Sequence, residues 1–198
     1  MSHLSDDLFA WIRDWLPSPP ARILDVGCGD GASTKRLRTA GFEAIGIDPE
    51  APAEEGFLQL PLEKQPADSR FDAAVAIRSL HHVHALETAL DRLHAVLRPW
   101  GRLVLFEFAV ENLDASARGW LAKYGLGSEL DKDFDVISLS ELRKAIGKRF
   151  QLLEDQPAGY LARELGYEEL ADDEDEAIRR GELRPVGARL AYEAVTAS

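Results

Sequence analysis

Four groups of residues in this chain have the types and spacing to do chemistry. The first is Asp25-Val26-Gly27-Cys28-Gly29-Asp30-Gly31, where an apolar run carrying an acid breaks into three alternate glycines. Glycines there let the main chain turn tightly and let a ligand approach the backbone, as nucleotide-like cofactors require. The second is Asp48-Pro49, 21 residues after Gly27, where a carboxylate is placed to accept hydrogen bonds from ribose hydroxyls. The third is His81-His82. An imidazole titrates near neutral pH and could take a proton from a reacting group; the same pair could instead cap a strand, bond a loop or shape a pocket. The fourth is Glu107, at the end of an apolar run. It could orient a substrate, or it could be held by a helix or a cation.

These groups need elements to hold them. Apolar runs of strand length at 22–26, 43–47, 71–77 and 103–108 end just before or at the four groups. A short strand is expected within 57–60, and two more at 150–153 and 188–195. Helical periodicity places amphipathic helices at 32–40 and 84–97, the latter with Leu86, Leu90, Leu93 and Leu97 on one side. A helix with Leu8, Trp11, Ile12 and Trp15 on one face precedes them, capped by Ser5 and stopped by Pro17. Further helices are expected around 114–124 and 140–148. Strands alternating with helices predict an α/β doubly wound domain. The acidic stretch 168–176 runs into Arg179-Arg180, an order that suits a helix dipole and reads as a solvated face. It shows no metal-ligand spacing, and no metal site is expected.

Composition narrows the class. The chain has 198 residues, 45% hydrophobic, enough for one domain with a sizeable core. Its net charge of -12 repels nucleic acid and anionic membranes, so neither is an expected partner. Cys28 is the only cysteine, so no intrachain disulfide can form, and it reads as a small buried side chain. The first residues lack the basic start and apolar run of a signal peptide, and no stretch has the length of a membrane span. A cytoplasmic protein is expected.

Gly27, Gly29 and Ala32 also fit the dinucleotide pattern G-x-G-x-x-A, which would suit NAD. Two features oppose that reading. Asp25 would repel a pyrophosphate, and Gly31 makes the turn G-x-G-x-G. An acid beside a cofactor with a cationic amino group would help instead.

Leu24-Asp25-Val26-Gly27-Cys28-Gly29-Asp30-Gly31 resembles the first motif of class I S-adenosylmethionine-dependent methyltransferases. Gly46-Ile47-Asp48-Pro49 resembles the second. Ser69-Arg70-Phe71-Asp72-Ala73-Ala74-Val75 resembles the entry to the fourth strand, followed by Leu80-His81-His82-Val83 as in small-molecule members. The segment from Leu93 through Pro99-Trp100-Gly101 to Leu103 resembles the helix, turn and fifth strand. The resemblance implies a mostly parallel seven-stranded sheet with helices on both faces and an antiparallel last strand. It implies one domain over 1–198: an N-terminal helix in 1–20, a cofactor core at 21–108 and an acceptor side at 109–198.

The site residues follow from the same resemblance. Gly27, Cys28 and Gly29 would carry the methionine part of S-adenosylmethionine, and Asp25 would orient the turn or the amino group. Asp48 would accept the ribose hydroxyls and Pro49 would wall the adenine. Gln59 or Leu60 stands where the family often has an acid for the adenine amino group. The main chain at Ile77 and Arg78 would meet the methionine end. Trp100 replaces a glycine of the family's turn and opposes a positive φ, so a different turn is expected. Methyl transfer to a small molecule is implied, with His81 or His82 as the base if the acceptor starts protonated. S-adenosylhomocysteine would be the product. A cofactor-binding module without transfer activity, a protein methyltransferase and an NAD-dependent oxidoreductase are the alternatives. Trp11 and Trp15 could form a lid, and Trp120, Tyr124 and Tyr160 the opposite wall, or all five could pack helices onto the sheet.

Overall fold

A computed structural model describes residues 4–131 and 134–195. One seven-stranded sheet organises them, in the order β3-β2-β1-β4-β5-β7-β6. The strands are β1 (Arg22–Val26), β2 (Glu43–Ile47), β3 (Phe57–Leu58), β4 (Phe71–Ile77), β5 (Leu97–Phe108), β6 (Phe150–Ala158) and β7 (Gly187–Ala194). The first five run parallel. β7 is antiparallel to both β5 and β6. This is the sheet that the sequence predicts.

Strand alternation decides which face each residue serves. Ile23, Ala73, Val75, Val104 and Phe106 join the core on one face, with Leu8 and Ile12 of α1 (Asp6–Trp15) and Leu37 of α2 (Ala32–Thr39). Leu24, Val26, Ala74, Ala76, Leu103 and Leu105 join the other. There they meet α3 (Leu86–Val96) and, beyond α4 (Ala115–Ala122), the apolar side of α5 (Leu139–Ile146). The central strands are therefore mostly apolar, as strands covered on both faces must be, with Asp25 and Glu107 as buried exceptions. Local chemistry sets the ends. Ser5 accepts from Leu8 N at the start of α1. Asp114 caps α4. Ser138 and Glu141 form a reciprocal capping box on α5.

Five expectations change. α3 begins at Leu86 rather than at His84, after a 3-10 turn at Leu80–His82, so His84 lies outside the helix. β5 starts at Leu97, because Leu97 pairs with Phe71 across a register shift. Within that shift Trp100 adopts φ +64°, the glycine-like conformation it was expected to avoid. The residue is 61% exposed, so its side chain projects into solvent. β6 continues to Ala158 because β7 pairs with it along its whole length.

The acidic stretch is the fifth change. It forms a 3-10 turn at Glu168–Leu170 and α7 (Ala171–Arg179), preceded by α6 (Leu161–Glu164). Glu174 of α7 is fully buried, and only its neighbours form a solvated face. Among the described residues no helix is long and apolar enough to cross a membrane.

Candidate cofactor and acceptor cleft

Parallel strands deliver their C-terminal ends to one rim, and ligands of open α/β sheets bind there. Here β1 ends at the glycine turn, β2 at Asp48 and β4 at Arg78. A two-lobed cleft opens over these ends. One lobe, about 450 Å³, is lined by Gly27, Gly29, Ser33, Arg78, His82 and Glu164 among others. The second, about 460 Å³, is lined by Asp48, Pro49, Leu60, Glu63, Ser79 and Val83 among others. Gly27, Arg78 and His82 border both lobes, so the two meet at the end of β4.

The glycine turn is shaped by steric necessity. Gly27 has φ +69°, and a Cβ there would stand 2.2 Å from the Ser79 Cβ. Only glycine lets β1 and the loop after β4 meet. Gly29 also has positive φ, but a Cβ there would meet nothing within 4 Å, so its backbone faces open space. Cys28 is buried against Ala51 and Phe57. Burial, with Asp25 and Asp48 nearby, pushes its thiol up to about 12.

Asp25 lies beneath the cleft rather than in its lining. Its Oδ2 accepts from Ser33 Oγ and Thr34 Oγ1, both at 2.6 Å. Burial raises its pKa, against the lowering effect of those two hydroxyls. Geometrically it ties β1 to the first turn of α2, directly after the glycine turn. Asp48 is half-buried and lines the second lobe. Its Oδ2 accepts from Gly29 N at 3.2 Å and its Oδ1 from Glu50 N at 2.8 Å. One carboxylate thereby joins the β2 exit to the glycine turn.

The remaining expected positions divide. Pro49 and Leu60 line the second lobe, and Ile77 and Arg78 the first. Gln59 does not line either lobe. It is exposed, and its Nε2 donates to Ala51 O at 2.7 Å. Alternation along the chain explains this, since neighbouring residues of an extended segment face opposite ways. The five aromatic residues leave the linings as well. Trp11 and Trp15 of α1 pack against the core, and Trp120 and Tyr160 are buried in it. Tyr124 is exposed and bonds Asp173. Residues that sequence reasoning missed are Leu4, Ser33, Glu63, Ser79, Val83 and Glu164. Ser79 had a signal, being next to Arg78. Glu63 closes the stretch already considered for the adenine side. Glu164 had none, because only the tertiary fold carries α6 to the cleft.

His81 and His82 separate sharply. His81 is buried, and its Nδ1 lies 2.5 Å from Glu107 Oε2, to which it donates. Glu107 is also buried, and its Oε1 accepts from Ser79 N at 3.3 Å and Leu80 N at 2.9 Å. The expected rim acid is thus an internal anchor for the loop after β4. His82 is exposed to both lobes, with its ring 4.1 Å from that of His81. Burial against the loop, and then His81, lower its pKa, while Glu164 and Glu107 pull the other way. At neutral pH it therefore favours the neutral, proton-accepting form. Arg78 sits at φ +55°, donates from Nη1 to Arg163 O at 2.8 Å, and lies 3.9 Å from Glu164. Among the described residues no group of three or more His, Cys, Asp or Glu is placed to hold a metal ion.

A glycine turn, an acid at the exit of β2 and a seven-stranded sheet with β7 reversed define a class. A family model described as a methyltransferase domain matches residues 2–150. The chain belongs to the class I S-adenosylmethionine-dependent methyltransferase family. It is 32% identical over 113 residues to a malonyl-(acyl-carrier protein) O-methyltransferase of Pseudescherichia vulneris, covering 52% of this chain and 45% of that protein. The chain spans about half the length of the curated relatives it matches. An S-adenosylmethionine dependent methyltransferase from Mesorhizobium loti has the same fold, with TM-score 0.61 and 21% identity over 96% of this chain and 98% of that one. So does a Burkholderia thailandensis 1,6-didemethyltoxoflavin-N1-methyltransferase, solved with 1,6-didemethyltoxoflavin and S-adenosylhomocysteine. Its TM-score is 0.57 at 20% identity, over 89% of this chain and 72% of that one.

Proposed function

We propose that this protein transfers a methyl group from S-adenosylmethionine to a small-molecule acceptor. The observation that carries the reading is the two-lobed cleft, with the open Gly29 backbone in one lobe and the Asp48 carboxylate in the other. The lobes fit the cofactor's two halves. The second offers an apolar slot of Pro49, Leu60, Leu62 and Val83 for a flat base, next to Asp48 for ribose hydroxyls. The first offers backbone at Gly27, Cys28 and Gly29 for the methionine end, with Ile77 and Arg78 opposite. Glu63 takes over the adenine-side position from Gln59.

Bound there, the cofactor supplies an electrophilic methyl carbon on a positively charged sulfur. The chain's own task is to orient the acceptor and exclude water. His82 stands at the junction of the lobes and takes a proton at its ring nitrogen when the acceptor starts protonated. His81 touches neither lobe lining and supports His82 from behind. The fold neighbour solved with a small aromatic acceptor supports the small-molecule reading. The acidic surface argues against a nucleic-acid acceptor.

Calorimetric titration with S-adenosylhomocysteine tests the reading. Wild type binds it, and Asp48→Ala binds at least roughly tenfold more weakly because buried hydroxyls lose a charged acceptor. Stabilisation by NAD and not by S-adenosylhomocysteine would reject it. Production of S-adenosylhomocysteine from S-adenosylmethionine and a metabolite pool separates an enzyme from a binding module.

A further inference from the structure

The connection between β6 and β7 spans 159–186 and lies outside the residues that the family model matches. Because β7 is antiparallel, this connection emerges at the C-terminal rim of β5, where Phe108 pairs with Gly187. It therefore sits on the cleft side of the sheet and carries α6 and α7 there. α6 is a single turn whose backbone donors would be orphaned by burial. A carboxylate from α7 meets them. Glu174 Oε1 accepts from Tyr160 N at 2.7 Å and Leu161 N at 2.9 Å, and Oε2 from Ala162 N at 3.0 Å.

Burial raises the pKa of Glu174 against the lowering effect of these three bonds. The cost of burying the group points to a purpose beyond surface solvation. The surroundings are shaped for it. A Cβ on Gly159 would stand 2.6 Å from Asp175 Oδ1 and 3.1 Å from the Glu174 carboxyl carbon. A Cβ on Gly187 would strike the Tyr160 side chain at 2.7 Å. Tyr160 in turn stacks on Phe108, at 4.9 Å and 10°. At its far end α6 reaches the cleft: Arg163 O and Glu164 hold the Arg78 guanidinium.

We propose that Glu174 is a positioning residue for the cleft: by clamping the start of α6 it sets Arg163 and Glu164, which hold Arg78 where the two lobes meet. The inference rests on the cleft being the cofactor and acceptor site. Its mechanical part, the link from Glu174 to Arg78, stands on the geometry alone. The acid lies in a run that would otherwise read as solvated helix. Its action is indirect, through backbone donors and then a guanidinium.

The test uses the full chain, nitrogen-15 labelled, as wild type, Glu174→Gln and Gly159→Ala. The first variant replaces one accepting oxygen by an amide NH₂. The second keeps the acid and pushes on it, which covers the case where Glu174→Gln fails to fold. Amide hydrogen exchange at 160–164 is expected to quicken at least roughly tenfold in each variant, while β1, β4 and β5 keep their protection. The Arg78 guanidinium resonances, separate in wild type, should merge as the side chain is released. S-adenosylhomocysteine affinity should fall about threefold or more. Unchanged exchange at 160–164 and unchanged Arg78 resonances overturn the proposal. If wild type itself fails to bind S-adenosylhomocysteine, the functional reading falls, while the exchange and resonance measurements still decide the clamp.

Discussion

Glu107 offers the sharpest test of how the loop after β4 is built. Its two oxygens serve three donors: Ser79 N, half-buried at the cleft, and Leu80 N and His81 Nδ1, both buried. Glu107→Leu keeps the approximate volume and removes every acceptor. Leaving each of the two buried donors unpaired costs about 1–3 kcal/mol, and Ser79 N can turn to water at the cleft, so the variant should lose about 2–6 kcal/mol. A change of His81 tautomer brings little relief, because its Nε2 is already buried without a partner. Glu107→Gln differs. Its carbonyl keeps the two backbone bonds, and its NH₂ turns toward His81 Nδ1. That nitrogen must then become the acceptor and the proton must move to the unpartnered Nε2, for a net loss of about 1–3 kcal/mol. Urea unfolding measures both losses, and nitrogen-15 spectra of the imidazoles report the tautomer directly. Equal losses for the two variants, or an unchanged His81 tautomer in Glu107→Gln, would refute the reasoning.

Other outcomes follow from single features. Trp100→Gly removes a non-glycine residue from φ +64° at an exposed site. Relief of about 1–2 kcal/mol, less the entropy glycine adds to the unfolded chain, should raise the melting temperature by about 1–3 °C; a fall would mean the indole packs usefully. Cys28, buried and with its thiol pushed up to about 12, should resist a disulfide reagent at pH 8 in the native protein and react promptly in urea. Native reaction at the rate of free cysteine would contradict that burial.

Much of the fold was legible because its signals are local. The limits of β1, β2 and β4 agree with the sequence reading residue for residue, since each is an apolar run bounded by glycine, proline or charge. Asp25, the alternate glycines and Asp48 stand in one short stretch of chain, and their spacing alone suggested a cofactor turn. The errors fall where partners are distant. β6 and β5 lengthened because strand pairing, which the local sequence does not encode, extends them. Of Gln59 and Leu60, both candidates for one position, only Leu60 lines the cleft, because the direction of a side chain depends on the register of the segment that carries it.

The sequence by itself determined the class of sheet, the glycine turn and the acids that flank it. These depend on backbone sterics and on residues a few positions apart. Only the tertiary structure decided that His82 faces the cleft while His81 is locked behind it by Glu107, 26 residues away. It also decided that one acid among many, Glu174, is buried and holds α6 against Arg78. Burial and pairing belong to residues brought together from distant elements. A carboxylate's task depends on which donors the fold presents to it.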